Sequence, residues 1–127
     1  MTELTAVPRG DLENQIGLEV TEFAPERVAG SLPVAGNTQP FGVLHGGASC
    51  VLAETLASVG ACLHFGAGAV GIEISATHHR PASSGRVHGV ATAVHLGRSV
   101  ATYEVVLCDD AGKRICTARM TCLPAPA

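Results

Sequence analysis

The sequence lacks several features that mark common functional classes. Its 127 residues include no Trp, and aromatic residues make up only 3%, so base stacking of the kind that single-strand nucleic-acid binders use is not expected. Charged residues make up only 15% and the formal net charge is -3. This composition argues against a disordered chain and against a general nucleic-acid binder. The length fits one domain over residues 1–127.

Paired metal-binding or disulfide-forming cysteines are also missing. The five cysteines are odd in number and contain no CxxC pair, which predicts reduced thiols. The first ten residues, MTELTAVPRG, lack the apolar run of a signal peptide. The uncharged stretch 55–72 is broken by Gly66 and Gly68, so it is not expected to cross a membrane. We therefore expect a soluble cytoplasmic protein with no membrane partner and no nucleic-acid partner.

One long helix stands out against several short strands. Apolar residues recur at helical spacing from Gly46 or Gly47 to about His64, among many small residues. A short helix over residues 11–16 leads into a strand. Further strands are predicted at 27–34, 70–79, 85–96, 100–108 and 114–123, with a hairpin turn at 109–112. Short connections imply antiparallel pairing, so the prediction is an α+β fold whose antiparallel sheet wraps around one long central helix.

The first candidate for chemistry is Glu54, the only acidic residue between Arg27 and Ile72. Its helix is too apolar to be a solvated face, and a buried carboxylate without a partner is costly. Perturbed acids concentrate at functional sites. Ser58, one helical turn later, is within reach of Glu54 or of a water beside it. The alternative is that Glu54 lies on an exposed stripe or is paired with an arginine.

The second candidate is the start of the long helix, His45-Gly46-Gly47. A helix N-terminus offers unpaired N–H groups and a positive dipole end, the elements of an oxyanion hole. The alternative is a simple helix cap. Gly46 and Glu54 are separated by about 12 Å of helical rise. If both act on one carbonyl, they come from different subunits of a two-fold dimer with antiparallel helices.

The third candidate is a basic strip over residues 78–98, which contains no acidic residue. On an acidic protein such a strip is suited to a small polyanion, for example the phosphates of coenzyme A. The alternative is scattered surface charge. No metal site is expected, because His78 and His79 are adjacent and point to opposite faces of a strand. The strip consists of His78, His79, Arg80, Arg86, His88, His95 and Arg98.

Two segments resemble a known family. QPFGVLHGGASCVLAETLASVGA, residues 39–61, resembles the active-site segment of hotdog-fold acyl-CoA thioesterases. It is closest to the types that hydrolyse 1,4-dihydroxy-2-naphthoyl-CoA, 4-hydroxybenzoyl-CoA and phenylacetyl-CoA. GIEISATHHRPASSGRVHGVATAVHLG, residues 71–97, is similar to the strands that follow in the naphthoyl-CoA type. The resemblance covers about residues 28–123 and implies a hotdog fold, with a five-stranded sheet around one helix.

The resemblance also implies roles for individual residues. Glu54 corresponds to the catalytic carboxylate, which acts as a nucleophile or as a base for water. The Gly46 N–H corresponds to the group that polarises the thioester carbonyl from the partner subunit. Gln39 and His45 correspond to residues that hold the thioester and the attacking or leaving groups, and Ser58 to a hydroxyl that supports the second step. His78 and Arg80 fall where the naphthoyl-CoA type has residues lining the nucleotide or pantetheine path, while His79 lies where that type has a small apolar residue. The candidate substrate-binding residues are Gly47, Gly71, His78, His79, Arg80 and His95.

The function implied is hydrolysis of an aryl or hydroxyaryl acyl-CoA to the free acid and CoA. No metal or separate cofactor is required, since coenzyme A is part of the substrate. The partners implied are the acyl-CoA substrate and further copies of the chain. We expect at least a dimer, with two dimers forming a tetramer. Two alternatives remain open: a hotdog hydratase or dehydratase acting on acyl-CoA or acyl-carrier protein, and a non-catalytic module that binds acyl-CoA.

Overall fold

A computed structural model describes residues 10–126, which form two helices and six strands. The expectation about a targeting segment concerns the first ten residues, of which 1–9 lie outside the described part. The long helix begins and ends within one residue of its predicted bounds. The elements are α1 Asp11–Ile16, β1 Glu19–Phe23, β2 Arg27–Pro33, α2 Gly46–Phe65, β3 Ala69–His78, β4 Arg86–Leu96, β5 Ala101–Cys108 and β6 Arg114–Pro124.

All six strands form one antiparallel sheet in the order β1-β2-β4-β5-β6-β3. The predicted α+β fold, a sheet with one long helix against it, is confirmed. The resemblance implied five strands, but the sheet has six, because the strand expected after the short helix forms as β1. The additional strand, β1, is an edge strand that carries Glu19 and Glu22 on exposed positions. Its apolar alternation is therefore weak, as edge strands often show.

Helix α2 is the core helix of the fold. By length and composition it could cross a membrane, but it packs on the sheet and buries Leu52 and Leu56 completely. Gly89 in β4 permits this approach, since a Cβ there would lie 2.9 Å from Leu56 Cδ1. On the same side, the buried Tyr103 of β5 donates a hydrogen bond to the Pro25 carbonyl at 2.6 Å. The position of α2 relative to the sheet is thus fixed.

Two further predictions can be compared with the structure. The hairpin turn joining β5 to β6 forms where expected: the Asp109 N–H donates to the Lys113 carbonyl at 2.9 Å, and Gly112 has a φ of 80°.

The cysteines are free thiols, two of them buried and three half-buried. They are Cys50, Cys62, Cys108, Cys116 and Cys122.

Candidate active site

His45 organises the start of α2. Its backbone is extended, its ring Nδ1 accepts a hydrogen bond from the Gly47 N–H at 2.8 Å, and its carbonyl accepts from Ala48 at 2.9 Å and from Ser49 at 3.4 Å. Among residues 10–126 the Gly46 N–H alone, of the first four in the helix, has no acceptor. A free N–H at the positive end of a 20-residue helix is a donor for a developing negative charge.

Gly46 lines a cavity of about 400 Å³, which we call the helix-start cavity. The cavity is within the size range of small-molecule sites. The His78 ring packs directly on Gly46, and a Cβ at Gly46 would lie only 3.1 Å from His78 Cε1. Glycine therefore lets the ring and the helix start share one wall. The predicted site residues that line the helix-start cavity are Gln39, Gly46, His78, His79 and Arg80.

Gln39 is held by the turn that precedes α2. Its N–H donates to the Val43 carbonyl at 2.9 Å, and its side-chain Oε1 accepts from the Phe41 N–H. Gly42 completes the turn with a φ of 83°, a left-handed conformation that favours glycine. Since the oxygen of the Gln39 amide is engaged within the turn, its NH₂ group is left as a donor.

The loop after β3 forms the opposite wall. The His79 N–H donates to the Ile115 carbonyl at 2.8 Å, and the Ala82 carbonyl accepts from the Leu44 N–H at 2.8 Å. The His79 ring lies 2.9 Å from Thr117 Oγ1 on β6. His78 and His79 were expected to point to opposite faces of a strand, but β3 ends at His78 and both residues line the helix-start cavity. The described residues include no group of three potential metal ligands.

Glu54 lies apart from the helix-start cavity. It is eight residues beyond Gly46 on the same helix, which corresponds to about 12 Å of rise. The side chain was expected to be buried, but it is exposed in this chain, because the sheet leaves one stripe of α2 uncovered. No hydrogen-bond or ion-pair partner for Glu54 is found within residues 10–126. Its carboxylate faces the Cys50 thiol: burial, and secondly Glu54, raise the pKa of Cys50.

Ser58 faces the sheet. Burial raises the pKa of the Cys122 thiol on β6, while a hydrogen bond from Ser58 opposes that shift. Within residues 10–126 no hydrogen bond joins Ser58 to Glu54; the expected contact through a water beside Glu54 stays a prediction. Ser58 and Glu54 still lie one turn apart on α2.

Two predicted binding residues lie far from the helix-start cavity. Gly71 is near the beginning of β3, where a Cβ would collide with the Met120 side chain, and His95 lies beside Gly97 in the β4–β5 turn. Gly47 is exposed at the start of α2. The chain by itself does not bring Gly71 and His95 into the site with Gly46.

The basic strip is also split by the fold: some of its residues line the helix-start cavity and others lie elsewhere on the sheet. His88 lies 2.7 Å from Asp110, and Arg86 lies 3.1 Å from Ser31 Oγ and 3.6 Å from Glu19. Adjacent strand positions alternate between faces, so residues close in sequence are separated in space. Only the segment His78, His79 and Arg80 borders the helix-start cavity, and the expectation of one continuous anion site over residues 78–98 is not met within this chain.

Some cavity residues escaped the sequence reasoning. Ile115 reaches the helix-start cavity from β6, and Ser49 from the first turn of α2. Nothing in the local sequence around Ile115 indicates this position, because it depends on the pairing of β6 with β3. Pro81 and Ala82 are adjacent to Arg80, so the loop that contains them was the available indication.

Comparison with known proteins agrees with this geometry. Residues 41–116 match the thioesterase superfamily. The proofreading thioesterase EntH of Cronobacter turicensis is 45% identical over 121 residues, which cover 93% of this chain and 88% of the relative. The chain belongs to the thioesterase superfamily. It is therefore an enzyme, a hydrolase of thioesters with the hotdog fold.

Solved structures of thioesterases superpose closely on this one. A Haemophilus influenzae thioesterase gives a TM-score of 0.83 at 36% identity, covering 88% of this chain and 80% of its own. A Pseudomonas aeruginosa thioesterase, solved as a mutant, gives 0.83 at 40% identity, covering 90% and 86%. The resemblance inferred from residues 39–61 and 71–97 is confirmed at the level of family and fold.

Proposed function

We propose that this thioesterase hydrolyses an aryl or hydroxyaryl acyl-CoA to the free acid and CoA at a site shared by two subunits. The observation that carries the proposal is that, within residues 10–126, the N–H of the cavity-lining Gly46 has no acceptor and Glu54, about 12 Å further along the same helix, has no partner. Neither group alone forms a complete site. A second copy of the chain would bring Glu54 to the Gly46 N–H.

The edge of the sheet supports this pairing. Strand β3 is the last strand of the sheet, and Val70 and Ile72 on it are 43% and 58% exposed. An uncovered, apolar edge strand is a template for pairing with another chain. Antiparallel pairing of β3 with β3 about a two-fold axis would place the two α2 helices antiparallel, so that Gly46 of one subunit opposes Glu54 of the other. A dimer would then hold two identical sites, and two dimers would form the proposed tetramer.

The proposed chemistry divides between the two halves. The Gly46 N–H and the Gln39 amide would hold the carbonyl oxygen as negative charge develops on it. Glu54 would attack the carbonyl carbon directly, or remove a proton from the water that attacks it. In direct attack the C–S bond breaks as a Glu54–acyl anhydride forms, and water then hydrolyses this anhydride to release the acid and restore the Glu54 carboxylate. By either route the thiolate of CoA leaves and takes up the proton that the water loses. His78 and Arg80 would contact the CoA portion of the substrate.

A thiol-release screen tests the substrate class. We expect release from benzoyl- and hydroxybenzoyl-CoA to exceed release from aliphatic acyl-CoAs of similar size. The same acyl groups on a carrier protein form a second series, because the EntH relatives are named proofreading thioesterases. Absorbance change with an enoyl-CoA without thiol release would instead support the hydratase alternative. Tight binding of acyl-CoA with no turnover would support the non-catalytic alternative.

A further inference from the structure

The loop between β3 and β4 forms a wall of the helix-start cavity, and its far end is held by an acidic residue of another hairpin. Asp110, in the turn between β5 and β6, accepts a hydrogen bond from the Arg86 N–H at 3.1 Å through Oδ2. Its Oδ1 lies 2.7 Å from the His88 ring. One carboxylate therefore holds two positions at the start of β4.

Gly85 makes this contact possible. Its φ is +70°, and a Cβ at this position would collide with Asp110 Oδ2. Only glycine combines this backbone conformation with a carboxylate so close to the chain. The Gly85 carbonyl in turn accepts from the Val34 N–H at 2.9 Å, so the end of the loop is also bound to the residue that follows β2.

A second cavity, of about 220 Å³, lies behind the same loop. Pro81 and Ala82 line both this cavity and the helix-start cavity, so the loop is a thin wall between two spaces. Ala82 is buried and, through its hydrogen bond to Leu44, holds the middle of the loop, whereas Ser83, Ser84 and Gly85 after it are exposed and have little packing. The position of this second part of the loop therefore depends on hydrogen bonds at its β4 end, which Asp110 and the Gly85–Val34 pair supply.

We propose that Asp110 is a positioning residue, which with Gly85 and His88 fixes the loop so that Arg80 reaches the substrate. This inference rests on the proposed function, in which Arg80 contacts the CoA portion. Asp110 touches no reacting atom. Loss of the connection should therefore weaken substrate binding and leave the chemical step unchanged.

Asp110→Asn is the first test. Asparagine keeps one acceptor oxygen and places an NH₂ donor at the other position, so the side chain can no longer accept from both the Arg86 N–H and a His88 ring N–H. We expect KM for a full-length aryl-CoA to rise about 3-fold, the low end for a lost hydrogen bond, with kcat unchanged. An acyl thioester of N-acetylcysteamine, which lacks the nucleotide, should show no change in KM.

Asp109→Asn is the matched control, since it removes the same charge from the same turn. Asp109 Oδ1 accepts from the Ala111 and Lys113 N–H groups, both at 2.9 Å, and one amide oxygen can still serve both. Kinetics of this control should equal those of the wild type. Gly85→Ala, which displaces the carboxylate from the opposite side, should reproduce the KM effect of Asp110→Asn.

The outcomes separate the two proposals. Wild-type protein that releases no thiol from any aryl-CoA overturns the proposed function. Wild-type turnover with an unchanged KM in both Asp110→Asn and Gly85→Ala overturns the positioning role alone. An equal rise of KM with the truncated thioester, or a fall in kcat, also contradicts it, because the effect would then not act through the CoA portion.

Discussion

The first turn of α2 and its middle differ in how completely one chain equips them. At the first turn, His45, Gln39 and His78 surround Gly46, and a cavity is already formed. At the middle, Glu54 is exposed and has no partner within residues 10–126. The first region, around Gly46, already has a formed cavity, and we call it the cavity half of the site. The second region, at Glu54, contributes a reactive group, and we call it the carboxylate half. This difference is the reason for the proposal that the two halves belong to different copies of the chain.

Replacing Glu54, the reactive group of the carboxylate half, should reduce turnover more than any other change considered. Glu54→Ala removes both the nucleophile and the base, and we expect kcat to fall by about 10² to 10⁴-fold. The folded chain should be retained, since Glu54 makes no hydrogen bond or ion pair among the described residues. Thiol release from an aryl-CoA measures the effect. Glu22→Gln, on the opposite edge of the sheet, is the control and should behave as the wild type; near wild-type turnover by Glu54→Ala would contradict the mechanism.

Replacing Gly46 by proline should remove the oxyanion donor of the cavity half. Proline removes the N–H and is well tolerated at the first position of a helix, and His45 before it is already extended. We expect kcat to fall by about 10² to 10³-fold, the effect of losing one oxyanion donor. Gly46→Ala is the matched control, because it adds the same Cβ beside His78 and keeps the N–H. Equal losses in the two variants would assign the effect to crowding.

Arg80 tests the comparison more finely. It lines the helix-start cavity, but in the proposed function it contacts the CoA portion of the substrate and not the thioester. Arg80→Ala should raise KM for aryl-CoA by about 3-fold to 10-fold with kcat nearly unchanged. A thioester lacking the nucleotide should lose this sensitivity. A collapse of kcat would instead place Arg80 at the thioester.

The smallest effect is expected for a change inside the core. Tyr103→Phe removes the hydrogen bond to the Pro25 carbonyl and should lower the free energy of unfolding by about 1 kcal/mol. Turnover per folded molecule should stay the same, since Tyr103 lies in neither half of the site. Denaturant titration with a parallel activity assay checks both expectations; loss of activity at unchanged stability would contradict them.

The same contrast explains what the sequence could predict. The start of α2 at Gly46 follows from local features, a histidine cap and glycines before an apolar helical pattern. The exposure of Glu54 could not be predicted, because α2 is apolar or small on most positions and its pattern does not mark the face that the sheet covers. The position of Ile115 in the cavity depends on the pairing of β6 with β3, which joins distant segments of the chain. A strand was expected after residues 11–16, but the bounds of β1 could not be predicted, because two of its five residues are glutamates and its apolar pattern is weak.

Mixing two inactive variants tests the shared site most directly. A heterodimer of Glu54→Ala with Gly46→Pro has one site in which both defects meet and one in which the intact Glu54 faces the intact Gly46. After the two variants are unfolded and refolded together, random pairing should restore about a quarter of wild-type thiol release. Each variant refolded alone should remain inactive. A mixture that shows mixed dimers but recovers no activity would contradict a site built from two subunits.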